Sequence, residues 1–341
     1  MGNRNLLLDN VGLYVCLNGE IFEAQYYLDM INDDDCWNRG ISYEVVRIFR
    51  GTPMFLEDHC ARLNASLAEM SLRKPIGRDQ IDKPLSSLLR ANENYDCNVK
   101  VWAAFDESDG INLFFNINRS FYPPPEYYEN GVPTGLYAYS RDNPNVKRYV
   151  SGFSERVQAL IDSGGVFELL LYDESQRLTE GSKSNLFFSR GEKLYTAPDR
   201  IVLKGTVRKY VYVAAERAGI EIVERPVTLE EIGLSPGSLE RRRAGEETAS
   251  GRKKQLTIVK KPASRRKTVA FPTPGPWPGT ETAPNLPVLS VNGAFLTGTS
   301  IGVLPIARIG GVTLGSVSDP LIKHIRAEYD KIERSYVDAH R

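Results

Sequence analysis

YDESQRLTEGSKSNLFFSRGEKLYT, Tyr172 to Thr196, is the most telling run of the chain. It reads as strand, polar turn, strand, turn, strand. Just before it, Val166 to Tyr172 is apolar except for Glu168, the pattern of a strand buried on both faces. Asp173 to Gln176 supplies a polar turn. Leu178 to Phe188 then passes through TEGSKSN into Leu-Phe-Phe, and Arg190 to Lys193 closes a second turn before Leu194-Tyr195-Thr196. Glu180 is the unexpected residue. A carboxylate followed by Gly181-Ser182, wedged between core strands, is costly unless a positive group meets it. Taken alone, such a glutamate is more often a turn residue or half of an ordinary salt bridge.

The chain around this stretch has 341 residues, enough for about two domains. It is 41% hydrophobic, 10% aromatic and 25% charged, which predicts a globular core. Lys+Arg and Asp+Glu are both 43, so whole-chain charge gives no bias toward nucleic acid or membrane. Four widely spaced cysteines, Cys16, Cys36, Cys60 and Cys97, form no CxxC pair, and three histidines are too scattered for a metal cluster. Neither a disulfide framework nor a metal site is expected, and a reducing cytoplasm is the expected location. No apolar run is long enough to span a bilayer, and the N-terminus lacks a signal-peptide core.

Upstream, VGLYVCLNGEIF predicts a hairpin with an Asn-Gly turn, and INDDDCWNRG a loop. SYEVVRIFRGTPMFL predicts a second strand pair. In EDHCARLNASLAEMSL, Leu56, Cys60, Leu63, Leu67 and Met70 fall at helical spacing, with His59, Arg62 and Ser66 on a neighbouring stripe. Arg62 therefore emerges at the edge of the packed face. Pro75 to Asn98, loosely DQIDKPLSSLLRANEN, predicts another helix. VKVWAAF and INLFFNI predict paired strands, and RSFYPPPEYYENG a connector, with the domain boundary near Pro123.

Downstream of that boundary, an alternating apolar strand ends in the polar turn RDNPN, with Lys147 at its close and a helix after it. DRIVLKGTVRKYVYVAAERAG predicts a glycine turn opening an amphipathic helix. The free N–H groups and positive dipole end of such a helix suit a phosphate dianion. Near the end, GAFLTGTSIGVLPIARIGG places TGTS between two apolar strands. SDPLIKHIRAEYDKIERSYVDAH predicts a terminal helix starting at Asp319-Pro320.

Together these runs resemble the class IV (fold type IV) aminotransferases, which use pyridoxal 5'-phosphate. The resemblance rests on TEGSxSN, an EHxxRL-like helix, R-x-x-P-x-x-K before a helix, a glycine-helix turn and FLTGTSxxVLPI, in the family's order. It implies a mixed α-β fold, with a small N-terminal α+β domain over 1–123 and a larger cofactor-binding domain over 124–341. It also implies a homodimer. By this match Lys147 is the Schiff-base lysine, since only a primary amine can link to the cofactor aldehyde. Glu180 contacts the pyridine nitrogen. Arg62 grips the phosphate with its planar fork. Leu203 packs on the ring, and the N–H groups of Thr206 and Val207 bind phosphate with Thr299. Tyr43, Arg47 and Ser300 lie on the substrate side. Two departures stand out. The family's L-x-G-I-T-R turn is here Leu-Lys-Gly-Thr-Val-Arg, so no hydroxyl stands at 207. NRGIS also replaces the usual GDG-type turn before Tyr43.

One stretch does not fit. Roughly fifty extra residues, 235–290, precede the TGTS strand, far beyond ordinary loop length. Between Ser238 and Ser290 stand 11 basic and 4 acidic residues, a net of +7, so the remainder carries −7. High charge and many prolines predict a disordered insertion. A basic docking or nuclear-localisation segment is a second reading, and a nucleic-acid-binding arm a third. Its aromatics are few, Trp277 and Phe271 beside the prolines, which argues against base stacking. Were the insertion to displace the following strand, Thr299 would leave the site.

The expected activity is transfer of an amino group between an amino acid and a 2-oxo acid, branched-chain-like or D-amino-acid-like. An aminodeoxychorismate-lyase-type reaction is the alternative on the same scaffold. A catalytically impaired protein working through its basic insertion is a second. VKVWAAF lacks the arginine that some family members place there for a second carboxylate.

Overall fold

The computed structural model describes residues 9–26, 40–71, 74–105, 110–150, 152–234 and 291–340. The predicted Asp-rich loop lies mostly, and the 235–290 insertion wholly, outside the described residues, as does Cys36. Two sheets organise the rest. The first has six antiparallel strands in the order β2-β1-β6-β5-β3-β4. Its members are β1 (Tyr14–Leu17), β2 (Glu20–Glu23), β3 (Ile41–Phe49), β4 (Thr52–Pro53), β5 (Cys97–Phe105) and β6 (Ile111–Asn118). Asn18 and Gly19 both have positive φ, 50° and 96°, as the predicted Asn-Gly turn requires. Helices α1 (Leu56–Glu69) and α2 (Asp79–Asn92) cover one face. Leu56, Cys60, Leu63 and Leu67 meet Val46, Ile48 and Val99 there, the core that the helical spacing anticipated.

The connector holds a short helix, α3 (Pro125–Asn130), with proline at its start. The second sheet then takes β7 (Val132–Ala138), β8 (Glu168–Tyr172), β9 (Leu178–Gly181), β10 (Asn185–Arg190), β11 (Lys193–Thr196), β12 (Glu221–Glu224), β13 (Gly293–Gly298), β14 (Gly302–Ile309) and β15 (Val312–Thr313). Its order is β12-β11-β10-β13-β14-β7-β8-β9, with β15 beside β14. An extra pairing, Asn185 opposite Glu180, joins β9 to β10. The path from β10 through β13, β14, β7, β8 and β9 therefore closes on itself. Closure removes free edges that would otherwise expose backbone groups. It also puts Glu180 at a crowded seam.

β13 pairs with β10 over five residues and with β14 over four, so the strand after the insertion is seated in the sheet. Helices α5 (Thr206–Ala218) and α6 (Pro320–Ala339) pack over Phe187, Phe295 and Val303. Asp319 caps α6, accepting from the N–H groups of Leu321 at 2.8 Å and Ile322 at 3.2 Å. Helix α4 (Phe153–Gly164) lies beside β8.

Arg208 ties the first turn of α5 to the sheet. It is 2% exposed. It donates to Thr196 Oγ1 at 2.6 Å, to the Ala197 carbonyl at 2.9 Å and to Asp199 at 3.2 Å. Arg208→Ala strips these acceptors of their donor and leaves a void against Phe187 and Tyr212. The expected loss is about 3 kcal/mol or more by denaturant titration. A change below about 1 kcal/mol would show that the anchor is dispensable.

Candidate active site

Strand alternation sets the first constraint. Along β3, Glu44, Val46 and Ile48 point toward α1, whereas Tyr43 and Arg47 share the other face. Glu44 thus enters the core beside His59 and Arg62, on the stripe next to the apolar one. Its side chain is only 2% exposed. Arg62 Nε donates to Glu44 Oε1 at 2.8 Å, Nη2 donates to Oε2, and His59 Nδ1 lies 2.7 Å from Oε2. Burial would push the Glu44 carboxyl up, but the Arg62 charge and its hydrogen bonds, aided by His59, win and hold it at about 2. Burial likewise pushes His59 down, although Glu44 opposes. The remaining arm of Arg62, Nη1, donates to the Lys204 carbonyl at 3.0 Å, just ahead of α5. The guanidinium therefore spans the two halves of the molecule.

The second half supplies an N-terminus and a carboxylate. Gly205 is the N-cap of α5, and no side chain caps it. A Cβ at Gly205 would sit 2.0 Å from Asn185 Oδ1, so any side chain there would push Asn185 off its bonds to Glu180 and the Leu203 carbonyl. Thr206 and Val207 are both buried, and the Val207 side chain packs into the core under α5 and α6. The aliphatic residue in the hydroxyl's usual place is thus used for packing, while its N–H still belongs to the open first turn.

Glu180 is 3% exposed. Its Oε1 accepts from Arg141 Nε at 2.6 Å. Its Oε2 accepts from the Leu203 N–H at 3.1 Å and from Asn185 Nδ2 at 3.4 Å. Asn185 also donates to the Leu203 carbonyl at 2.7 Å, fixing the loop that leads to α5. Burial pushes Glu180 upward, and Arg141, the Leu203 N–H and Lys147 pull against it. Behind it, buried Glu168 accepts from the Lys183 N–H at 2.6 Å and from Ser184 Oγ at 3.0 Å, which shapes the TEGSKSN turn.

Lys147 stands between these groups. Its ammonium lies 4.9 Å from the centroid of the Tyr43 ring. Burial, then the positive charges of Arg62 and Arg141, bring its pKa down to about 8, against the pull of Glu44 and Glu180. Lys147, Tyr43, Arg62, Glu180, Leu203 and the start of α5 thus come together. Because the amine is depressed from 10.5, it loses its proton as pH rises through about 8. Trace acylation of Lys147, read by peptide mass spectrometry, should therefore rise with a midpoint near 8. A midpoint near that of a free lysine would mean that the amine is solvated.

Arg47 and Ser300 lie in a second cluster. The Arg47 guanidinium sits 4.4 Å over the Tyr122 ring and 5.1 Å over Phe49. Asn98, its register partner, donates to Ser300 Oγ at 2.6 Å and accepts from Tyr122 at 3.0 Å. Thr299 occupies the turn between β13 and β14. Thr297, opposite Asn185 in the register, has a buried Oγ1 without a partner among the described residues.

Residues without an expected role complete the site. Glu44 was legible as an acid on a core-facing strand position. Arg141 sits in the R-x-x-P-x-x-K run itself. Asn185 sits in TEGSKSN. Nothing in spacing pairs any of them with its partner.

The profile of the family Amino-transferase class IV matches residues 42–235, more than half of the chain. A putative branched-chain-amino-acid aminotransferase of Methanocaldococcus jannaschii is 27% identical over 235 residues, covering 64% of this chain and 80% of that protein. A D-alanine aminotransferase of Bacillus licheniformis is 24% identical over 233 residues, covering 64% and 80%. The crystal structure of a branched-chain amino acid aminotransferase from Thermobaculum terrenum in its PLP form superposes with a TM-score of 0.68. That superposition covers 98% of this chain and 97% of the other at 18% identity, and shows the shared fold, the fold type IV arrangement expected above. Among the described residues no helix is long and apolar enough to cross a membrane. On the family match, the chain belongs to the class IV aminotransferases.

Proposed function

We propose that the chain moves an amino group from an amino acid to a 2-oxo acid, with pyridoxal 5'-phosphate held between the two sheets. The observation that carries this reading is the meeting of a depressed lysine amine with the buried Glu180 carboxylate and the Arg62–α5 junction. The donor set fits the cofactor. A uncapped helix start and a guanidinium suit a phosphate, and the unpaired Thr297 hydroxyl adds one donor nearby. When bound, the cofactor supplies an aldehyde and an electron-accepting ring.

The chain's own residues then divide the work. The N–H groups that Arg62 does not spend on Glu44 and the Lys204 carbonyl, and those of Thr206 and Val207, would hold the phosphate, with Thr299 beside them. Glu180 would keep a proton on the pyridine nitrogen, which would strengthen the ring as an acceptor. Lys147, as a free amine, would take the proton from the substrate α-carbon and hand it back to complete the transfer. Tyr43 walls the substrate side. Arg47 and Ser300 sit farther along that face and would meet the distal part of a substrate. Named relatives act on branched-chain amino acids and D-alanine, and these are the donors to try first. We also read the working unit as a cytoplasmic homodimer, in keeping with the family resemblance and the buried free thiols of Cys16, Cys60 and Cys97.

A visible spectrum of the purified protein, followed by donor screening with and without a 2-oxo acid, tests the reading. Turnover that requires the 2-oxo acid is expected. Release of a keto product from the donor without any acceptor would point to a lyase.

A further inference from the structure

Lys147 belongs to no regular element, yet its peptide is held on both sides by the N-terminal half of the molecule. The Lys147 N–H donates to Ser66 Oγ at 3.1 Å. The Lys147 carbonyl accepts from the Tyr43 N–H at 3.1 Å and from Ser42 Oγ at 3.1 Å. One residue on, Arg148 forms an antiparallel bridge with Ser42, and the Tyr149 N–H donates to the Ile41 carbonyl at 2.9 Å. β4 covers only the Ile48–Phe49 end of β3. The lysine segment therefore acts as a short extra strand on the open Ile41–Tyr43 end.

Both serines are 0% exposed. Ser66 stands four residues after Arg62 on α1, one turn along the same stripe. One helix thus carries the arginine that reaches Lys204 and the hydroxyl that receives the lysine peptide. Buried peptide groups need partners. The Lys147 peptide is part-buried, so an alanine at 66 takes away the protein acceptor of its N–H and lets the segment shift. An alanine at 42 leaves the carbonyl one donor of two.

We propose that Ser66 and Ser42 are positioning residues: they fix the backbone of Lys147 against β3 and α1, so that its amine and Arg62 keep a set spacing. The proposal rests on Lys147 being the reacting amine. Its physical premise is that a misplacement of about 1 Å can cost a reaction about a hundredfold.

The test uses full-length protein loaded with pyridoxal 5'-phosphate and compares wild type, Ser66→Ala and Ser42→Ala. It measures the pH titration of the visible absorbance, kcat and KM for the amino donor, and the melting temperature. In Ser66→Ala, kcat should fall about tenfold or more with KM within about twofold, and the absorbance should titrate at a different pH from wild type. Ser42→Ala should move the same quantities in the same direction by less, and it carries the test alone if Ser66→Ala does not fold. Lower melting temperatures with kcat and titration unchanged would make both serines mere packing and overturn the proposal. A wild type without any visible band would instead sink the assignment of Lys147, and the clamp with it.

Discussion

Lys147→Ala should lower transamination by a factor on the order of 10⁴ or more, and abolish the visible absorbance of lysine-linked cofactor, while the protein stays folded. The first half follows from chemistry, because no other amine approaches the Tyr43 ring among the described residues. The second half follows from electrostatics. Lys147 is crowded by burial and by the charges of Arg62 and Arg141, which together bring its pKa from 10.5 to about 8. A lysine so depressed binds its proton less well folded than unfolded. Stability tied to it therefore increases as pH rises from about 8 toward 10.5, and is least where the amine is charged in both states. Removing the amine relieves that cost at neutral pH. The melting temperature at pH 7 should hold or rise, and the pH dependence between about 8 and 10.5 should flatten. Activity within tenfold of wild type would remove Lys147 from the mechanism.

Glu180→Gln should retain cofactor yet lose about 10²- to 10³-fold in kcat. Three protein donors converge on the two oxygens of Glu180: Arg141 Nε, the Leu203 N–H and Asn185 Nδ2. A glutamine offers one oxygen and one NH₂ in their place. Either Arg141 or the Leu203–Asn185 pair must then face another donor. Arg141 also loses its anion. It is 21% exposed, so solvent softens the loss, and the stability cost should be about 1–3 kcal/mol rather than that of a fully buried pair. The loss should appear in kcat more than in KM, because the negative charge matters most when the ring accepts electrons. Comparison of cofactor retention, kcat and denaturant midpoint separates the two effects. An unchanged kcat would show that the carboxylate only holds Arg141 and the Leu203 loop in place.

The features legible in the residues alone are local. Helical spacing placed Leu56, Cys60, Leu63 and Leu67 on one core face. Asn18-Gly19 and Asp319-Pro320 marked a hairpin turn and a helix start. The order of motifs matched a family whose profile covers residues 42–235. Such signals survive in sequence because backbone periodicity and turn chemistry act over a few residues. The long-range pairings came only with the folded chain. Arg62 meets Glu44 across 18 residues, Arg141 meets Glu180 across 39, and the Lys147 peptide meets Ser66 across 81. It also separated Tyr43 from Arg47. Both point to one face of β3, but four residues of strand span about 13 Å, so only Tyr43 lies beside the amine. Which oppositely charged groups share a buried space depends on how sheets close and helices dock. That is fixed by packing of the whole chain and leaves no period in the sequence to read.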